Sequence, residues 1–256
     1  MTFSHANTKA AGFRDTLRWG RRETDRVTDD DFCMSTSASS QHSVTITLAG
    51  ESVRLMPQRA VWWEDRRTAF VADLHFGKEA AFRSAAIPVP DQTLRTLDHL
   101  SGLVAETSIE RLVILGDLIH SRRGRCERTF ALITDWRARH SELQIDLVRG
   151  NHDRSSGDPP AAWRIACVSE PFPMPPFLLR HHPESGDSEG ILAGHLHPMV
   201  RLSGAGRDSV RLACFLLRNG ILHLPAFSSF VDGAVIRPVQ GDQIYGICED
   251  RVLTLL

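Results

Sequence analysis

Five short apolar runs constrain what this chain can fold into, because each one stops at residues that can bind a metal ion. The clearest run, Leu-Val-Ile-Leu at 112–115, is followed directly by Gly116 and Asp117, and the others lie at 68–72, 145–148, 177–180 and 191–193. A short apolar run bounded by glycine is typical of a buried β-strand. Sites in open α/β sheets form just beyond the carboxyl ends of the strands. The five strand ends therefore predict one shared site with these candidate ligands: Asp73, His75, Asp117, Asn151, His181, His195 and His197.

The remaining patterns predict an α/β domain. Strands and helices alternate in the first half of the chain, and the second half is rich in strands. Asp91 is placed to cap the first long helix. We expect strands at 44–48, 52–56 and 60–63, helices from 92 to about 106 and from about 127 to 139, a polar loop at 153–160, and short strands throughout 199–255.

Residues 1–40 differ in composition from the rest of the chain. Arginines alternate there with aspartates and glutamates, and serines dominate the end of the segment. Few apolar residues recur at any period, so we expect a disordered N-terminal extension. Met34 is an alternative start of translation. Residues 44–256 are expected to form a single domain.

Composition narrows the class of protein. Hydrophobic residues make up 42% of the chain and charged residues 24%, as in soluble globular proteins. With 30 basic and 31 acidic residues the net charge is -1, so any contact with nucleic acid must be local. The five cysteines are scattered and lack Cys-x-x-Cys spacing, which favours reduced thiols in the cytoplasm over a disulfide framework. No apolar run resembles a signal peptide or a membrane span, so no membrane association is expected.

The donor types of the seven candidate ligands indicate which metals they suit. Carboxylate, amide and imidazole donors together favour borderline divalent ions such as manganese, iron or zinc. Manganese is the expected ion, with iron, zinc or magnesium as alternatives. Seven ligands exceed the needs of one tetrahedral site. They suffice for two metal ions about 3.5–4 Å apart that share a carboxylate, an arrangement found in many hydrolases. Asp117 follows a central strand and is the predicted bridge.

The order of the motifs resembles that of the calcineurin-like metallophosphoesterases. The match spans residues 71–197. Its motifs are Asp-x-His at 73–75, Gly-Asp at 116–117, Gly-Asn-His-Asp at 150–153, an isolated His at 181 and Gly-His-x-His at 194–197. The resemblance implies an α/β fold of four layers, α/β/β/α, in which two mixed β-sheets are flanked by helices.

Finer features are similar to one subfamily, the ligase-associated DNA damage response endonucleases of bacteria. They lie at 71–78, 87–90, 115–120, 149–154, 193–198 and 224–227. A departure follows at residues 228–233, Ser-Ser-Phe-Val-Asp-Gly, where a run richer in glycine and threonine is expected. The subfamily implies hydrolysis of DNA phosphodiester bonds during repair, alongside a DNA ligase, a helicase and a second nuclease.

By this resemblance the ligands divide into two sets. One metal ion would be bound by Asp73, His75, Asp117 and His197. The other would be bound by Asp117, Asn151, His181 and His195, and His181 is preferred to its neighbour His182. His152 would stabilise the phosphoryl oxygens or protonate the leaving oxygen, and Asp153 would orient the His152 imidazole.

Arginines in the loop after Asp117 are candidate contacts to the DNA backbone. Arg122, Arg123 and Arg125 form the densest local basic patch, and His120 lies between them and the predicted bridge. His120 is a further candidate contact to the substrate. The alternatives are a solvated loop for the arginines and, for His120, a position on the surface or next to the metal ligands without binding a metal.

Two other functions share these motifs. A small-molecule phosphatase or nucleotide phosphodiesterase would use the same ligands, because a fold does not dictate a substrate. A non-catalytic scaffold would keep the fold but would be free to lose the ligands and His152. Because this chain retains all of them, the sequence favours an enzyme.

Overall fold

The predicted N-terminal hairpin is present, and it opens the first of two mixed β-sheets. The computed structural model describes residues 42–84, 86–183, 189–204 and 208–256, so the segment predicted for residues 1–40 lies outside the described residues. The seven strands of the first sheet lie in chain order, antiparallel from the first to the fourth and parallel from the fourth to the seventh. They are β1 (Val44–Leu48), β2 (Glu51–Met56), β3 (Ala60–Trp63), β4 (Thr68–Val71), β5 (Arg111–Leu115), β6 (Gln144–Val148) and β7 (Ile165–Val168).

The later strands build the second sheet. They are β8 (Phe172–Met174), β9 (Phe177–Arg180), β10 (Ile191–Ala193), β11 (Pro198–Ser203), β12 (Ser209–Arg218), β13 (Ile221–His223), β14 (Ala234–Val235), β15 (Gln243–Cys248) and β16 (Arg251–Thr254). Their spatial order is β14, β11, β12, β13, β10, β9, β8, and β15 pairs with both β12 and β16. β10 runs parallel to β9 and β13, whereas β12 is antiparallel to β11 and β13.

Helices accompany the first sheet. The described α-helices are α1 (Lys78–Ser84), α2 (Gln92–Thr107), α3 (Glu127–Arg139) and α4 (Asn151–Ser156). The Asp91 carboxylate accepts a hydrogen bond of 3.1 Å from the backbone N–H of Leu94, so it caps α2 as predicted. Among the described helices, none is both long and apolar enough to cross a membrane.

Strand β5 shows how the first sheet is buried on both faces. Leu112 and Ile114 pack in a core with apolar residues of α2 and α3. Val113 and Leu115 point the other way, because adjacent strand residues face opposite sides, and they join a core shared with Phe215 of the second sheet. Burying each such side chain contributes about 1.5–3 kcal/mol. A continuous apolar run is the sequence that a strand covered on both faces requires.

A third, smaller core lies on the far face of the second sheet. It contains Val200, Cys214, Leu216 and Ile244, covered in part by side chains of neighbouring strands and loops. Within the described residues, α2 and α3 cover the first sheet, and the two sheets share the central core. The predicted α/β fold of two mixed β-sheets is confirmed, and in the described part of the chain the helices that cover a sheet, α2 and α3, lie on the first one.

The strand directions bring several carboxyl ends to one edge of the molecule. β4, β5 and β6 are parallel in the first sheet, and β9 and β10 are parallel in the second. Hydrogen bonds join the loops that follow them. The N–H of Asp73 donates to the carbonyl of Gly116 (3.1 Å), and the N–H of Phe227 donates to that of Ala72 (2.8 Å). The candidate site lies at this edge.

Candidate metal centre

The structure places all seven predicted ligands at this edge. Each follows a strand directly or by a few residues: Asp73 and His75 follow β4, Asp117 follows β5, Asn151 opens α4 after β6, His181 follows β9, and His195 and His197 follow β10. The parallel strands of both sheets therefore deliver the ligands to a common region.

Five of the seven residues have a left-handed backbone conformation that residues other than glycine rarely adopt. Each left-handed conformation of this kind lowers the stability of the fold by about 1–3 kcal/mol, and it persists only where the surrounding structure holds the residue in place. Their φ angles are 58° at Asp73, 47° at His75, 56° at Asp117, 66° at His195 and 46° at His197. This concentration of strain on the predicted ligands marks a functional site.

Two glycines of the motifs let the ligand loops approach each other closely. A Cβ atom on Gly116 would collide with the ring of His181, and one on Gly150 would collide with the Asp117 carboxylate. Gly116 also has a φ of +85°, which glycine adopts without steric cost. The glycines that precede Asp117 and Asn151 are thus needed for ligand packing.

The first set of donor atoms belongs to Asp73, His75 and His197. Asp73 Oδ1 lies 3.9 Å from His75 Nε2 and 3.0 Å from His197 Nε2. All three atoms are buried and make no hydrogen bond. A buried polar atom without a hydrogen-bond partner lowers the stability of the fold by about 1–3 kcal/mol. A divalent cation is a partner that fits one carboxylate oxygen and two imidazole nitrogens that face each other.

Asp117 lies between this set and the second one. Its Oδ2 is 3.7 Å from His75 Nε2 and 3.5 Å from His181 Nε2. His181 Nε2 in turn lies 3.0 Å from Asn151 Oδ1, and the His195 ring lies 5.0 Å from the His181 ring between centroids. A central carboxylate of this kind is what two neighbouring cations require as a shared ligand.

Backbone carbonyls determine which ring nitrogen faces the centre in two of the histidines. Nδ1 of His181 lies 2.9 Å from the carbonyl oxygen of Leu115, and Nδ1 of His197 lies 3.2 Å from that of Asp232. Each Nδ1 can donate its proton to the carbonyl, and in the neutral imidazole Nε2 is then the unprotonated nitrogen directed at the centre.

Burial sets the protonation states of the ligands. Burial, with smaller effects of neighbouring histidines, lowers the pKa of His75 to about 2 and that of His195 to about 4. Both imidazoles are therefore neutral at physiological pH, the form that binds a metal. Burial and the nearby Asp73 carboxylate raise the pKa of Asp117 to about 8. A cation between the Asp73 and Asp117 carboxylates would lower the pKa of Asp117 again.

His152 faces the centre and is held by His120. Its Nδ1 donates to the backbone carbonyl of His120, and its Nε2 lies 3.8 Å from Asp117 Oδ2. The rings of His152 and His120 stack with centroids 5.0 Å apart. Nδ1 of His120 lies 3.2 Å from Nδ1 of His75, so His120 stands behind a predicted ligand.

The hydrogen bonds of Asp153 differ from those that its predicted role, orienting the His152 imidazole, requires. Its buried carboxylate accepts from the backbone N–H groups of Asp117 (2.7 Å), Gly150 (2.9 Å) and Leu118 (3.0 Å). Among the described hydrogen bonds, none joins it to the His152 ring. Asp153 therefore ties the loop after β5 to the start of α4 and positions Asp117, while the His120 carbonyl orients His152.

Glu170, in the loop after β7, is a residue that the sequence did not single out. Its Oε2 accepts from the backbone N–H groups of His181 (2.7 Å) and His182 (2.8 Å), and its Oε1 lies 2.8 Å from Arg154. Glu170 thus fixes the backbone that presents His181. Its local sequence resembles that of any solvated loop, so its role depends on contacts distant in the chain.

The arginines after Asp117 differ in their surroundings. Arg122 donates to the carbonyl of Ser155 (3.0 Å), and Arg125 donates to those of Gly157 and Asp158 (3.0 Å each). Both tie their loop to the end of α4. Arg123 is exposed, and among the described contacts its guanidinium has no ion-pair or hydrogen-bond partner. The Arg123 guanidinium is therefore available to a ligand.

The arrangement fits a pair of metal ions. Two groups that share Asp73 have donor atoms close enough to bind an ion, one with His75 and His197 and one with Asp117 and His181. His182, which the sequence ranked below His181, has its ring tilted by 42° to that of His195 at 3.7 Å between centroids, and it forms another such group with both. The structure thus places His182 beside the second set of donors.

A nuclease of known structure is similar to this chain over most of its length. No protein-family model and no curated protein matches the chain. The structure is similar to one described as the crystal structure of Pseudomonas putida nuclease MPE, with 39% sequence identity, 83% of this chain and 100% of that chain covered, and a TM-score of 0.72. Yfce, a phosphoesterase from E. coli, matches at 19% identity with 72% of this chain and 88% of that chain covered, and a TM-score of 0.34.

The fold and its donor groups define a phosphoric ester hydrolase of the metallophosphoesterase class. At 39% identity over the full length of the Pseudomonas putida protein, the chain belongs to the metallophosphoesterase-type nuclease family. The resemblance seen in the motifs is thereby confirmed, and divalent metal ions are the cofactors that the clustered aspartates and histidines suit.

Proposed function

We propose that the protein hydrolyses phosphodiester bonds of DNA by a two-metal mechanism, with manganese as the expected ion. The observation that carries the proposal is the convergence of two ligand sets on Asp117, beside a histidine whose Nε2 faces the same point. The Pseudomonas putida neighbour, which is called a nuclease, supports DNA or RNA over a small phosphate ester.

The chain's own residues position and protonate the substrate. When bound, the two ions supply the charge that stabilises phosphate oxygens and lowers the pKa of the attacking water. Asp117 lies close to His75 of one ligand set and to His181 of the other. His152 carries one proton on Nδ1, which the His120 carbonyl keeps in place, so Nε2 can take a second proton and give it to the leaving oxygen.

Attraction of a polyanion requires a local cation, because the net charge of the chain is -1. Arg123 supplies it in this proposal, while Arg122 and Arg125 hold the loop against α4. The motifs shared with the ligase-associated subfamily support a role in DNA repair beside a DNA ligase, a helicase and a second nuclease.

A parallel assay tests the function. Purified protein is stripped with a chelator, reloaded with manganese, and given single-stranded DNA, plasmid DNA and bis-p-nitrophenyl phosphate. We expect metal-dependent turnover of DNA and of the small diester, and neither with Asp117→Asn. Turnover of the small diester alone would favour a small-molecule phosphodiesterase. No turnover of any substrate would favour a scaffold.

A further inference from the structure

A pocket of about 300 Å³ opens beside the metal centre, and the mechanism above does not use it. One wall is His197, a predicted ligand. The other walls come from Arg59, from the β11–β12 hairpin and from residues 229–233 of the segment 228–233, here called the 228–233 loop. Whatever enters this pocket therefore lies next to a group bound at the metal ions.

The lining of the pocket combines apolar surface with charge. Met199, Ala213 and the aromatic ring of Phe230 supply the apolar part. Arg59 and Arg211 supply two positive charges against the single carboxylate of Asp232, which lies 3.3 Å from Arg211. An aromatic ring with a net positive surround suits a flat, partly apolar group attached to a phosphate.

The 228–233 loop is held in position before any ligand binds. Arg59 donates to the carbonyls of Ala226 (3.0 Å) and Ser228 (3.3 Å), which fixes the start of the loop. The carbonyl of Asp232 accepts from Nδ1 of the metal ligand His197, which fixes its end. The pocket and the metal centre therefore keep a constant relative position, as a substrate subsite requires.

Phe230 is supported from outside the pocket by α1. The Lys78 ammonium lies 5.8 Å from the centroid of the Phe230 ring, and the Phe82 ring meets it edge-on at 5.3 Å. These contacts restrict the ring to one orientation, so that little entropy is lost when another ring stacks on it.

We propose that this pocket binds the unpaired nucleobase next to the scissile phosphate, stacked on Phe230. The inference rests on the proposed hydrolysis of DNA. The volume of the pocket lies at the lower end of the range for ligand-binding pockets and is enough for one nucleotide. A duplex, whose major groove alone is about 12 Å wide, cannot enter. A base reaches Phe230 only when it is unpaired, so single-stranded or frayed DNA is the favoured substrate.

A cycle of protein and substrate changes tests the contact. The substrates are thymidylyl-thymidine, which has one scissile phosphodiester, and two versions in which the 5′ or the 3′ nucleoside is abasic. For the wild type, one abasic replacement should lower kcat/KM about tenfold, the effect of losing one stacked base. Phe230→Ala should lower kcat/KM for the intact dinucleotide by a similar factor, and Phe230→Trp should restore it.

The decisive result is non-additivity. One of the two abasic dinucleotides lacks the base that stacks on Phe230. If the ring and the base touch, Phe230→Ala should not lower kcat/KM any further for that substrate. Phe82→Ala removes the ring that packs on Phe230 from outside the pocket. It should lower kcat/KM for the intact dinucleotide by less than Phe230→Ala does, and it should have no effect on the abasic substrate that lacks the stacked base. Manganese content should be unchanged in all three variants.

Additive effects of Phe230→Ala and the abasic change would overturn the subsite. So would equal kcat/KM values of the wild type for the intact dinucleotide and for both abasic versions, because no base would then contribute to binding. Failure of the wild type to cleave any DNA while it hydrolyses bis-p-nitrophenyl phosphate would instead refute the proposed function itself.

Discussion

Replacing Asp153 by asparagine separates two roles for this carboxylate. In the structure Oδ2 accepts from the N–H groups of Asp117 and Gly150, and Oδ1 accepts from that of Leu118. Asparagine offers one acceptor oxygen and one NH2 group that only donates. Its best orientation keeps the oxygen at the Oδ2 position and turns the NH2 group toward the N–H of Leu118. One buried hydrogen bond is then lost.

The lost bond sets the size of the effect. A hydrogen bond to a charged group contributes about 1.5–3 kcal/mol. Burial raises the pKa of Asp153, so removing the charge also relieves a desolvation cost, and the lower end of that range applies. For a domain of this size, about 1.5 kcal/mol corresponds to a fall in Tm of about 3–6 °C.

Thermal unfolding in a chelator and elemental analysis of the purified variant measure the two consequences. Because Asp153 positions Asp117, Asp153→Asn should lower both Tm and manganese content. If Asp153 instead orients the His152 imidazole, the variant will keep its full manganese content and lose only rate, as His152→Ala should. That result, or an unchanged Tm, would refute the positioning role.

Three further substitutions test neighbouring parts of the site. His152→Ala should lower kcat about a hundredfold or more with manganese content unchanged, and loss of a metal equivalent would make His152 a ligand. Glu170→Gln should weaken manganese affinity in a direct titration by about tenfold, because it loosens the His181 backbone, and unchanged affinity would remove Glu170 from the site. Arg123→Ala should reduce the salt dependence of DNA binding by about one unit of slope, whereas Arg122→Ala, the matched neighbour bound to a carbonyl, should leave the slope unchanged; equal slopes in the two variants would contradict this assignment.

The ligand strands could be predicted because they are buried on both faces. Strands of this kind have continuous apolar runs, and β9 and β10 have the same bounds as the runs at 177–180 and 191–193. The cap at Asp91 was equally local, because one side chain and one backbone N–H three residues later decide it. Such features need no information from distant parts of the chain.

Features that depend on distant contacts could not be predicted. Residues 151–156 form α4, where a polar loop was expected from residue 153, because a six-residue helix without an apolar face is stabilised by its surroundings. Asp153 bonds to a loop 35 or more residues earlier, and Glu170 reaches His181 across the β8–β9 hairpin. The left-handed conformations of the ligands also follow from tertiary packing.

A crystal of the manganese-loaded protein, measured at the manganese absorption edge, tests most directly whether Asp117 is shared by two metal ions. The account predicts two anomalous peaks about 3.5–4 Å apart, one on each side of the Asp117 carboxylate. Their other ligands should be Asp73, His75 and His197 for one ion, and Asn151, His181 and His195 for the other. A single peak, or a peak among His75, His120 and His152, would contradict it.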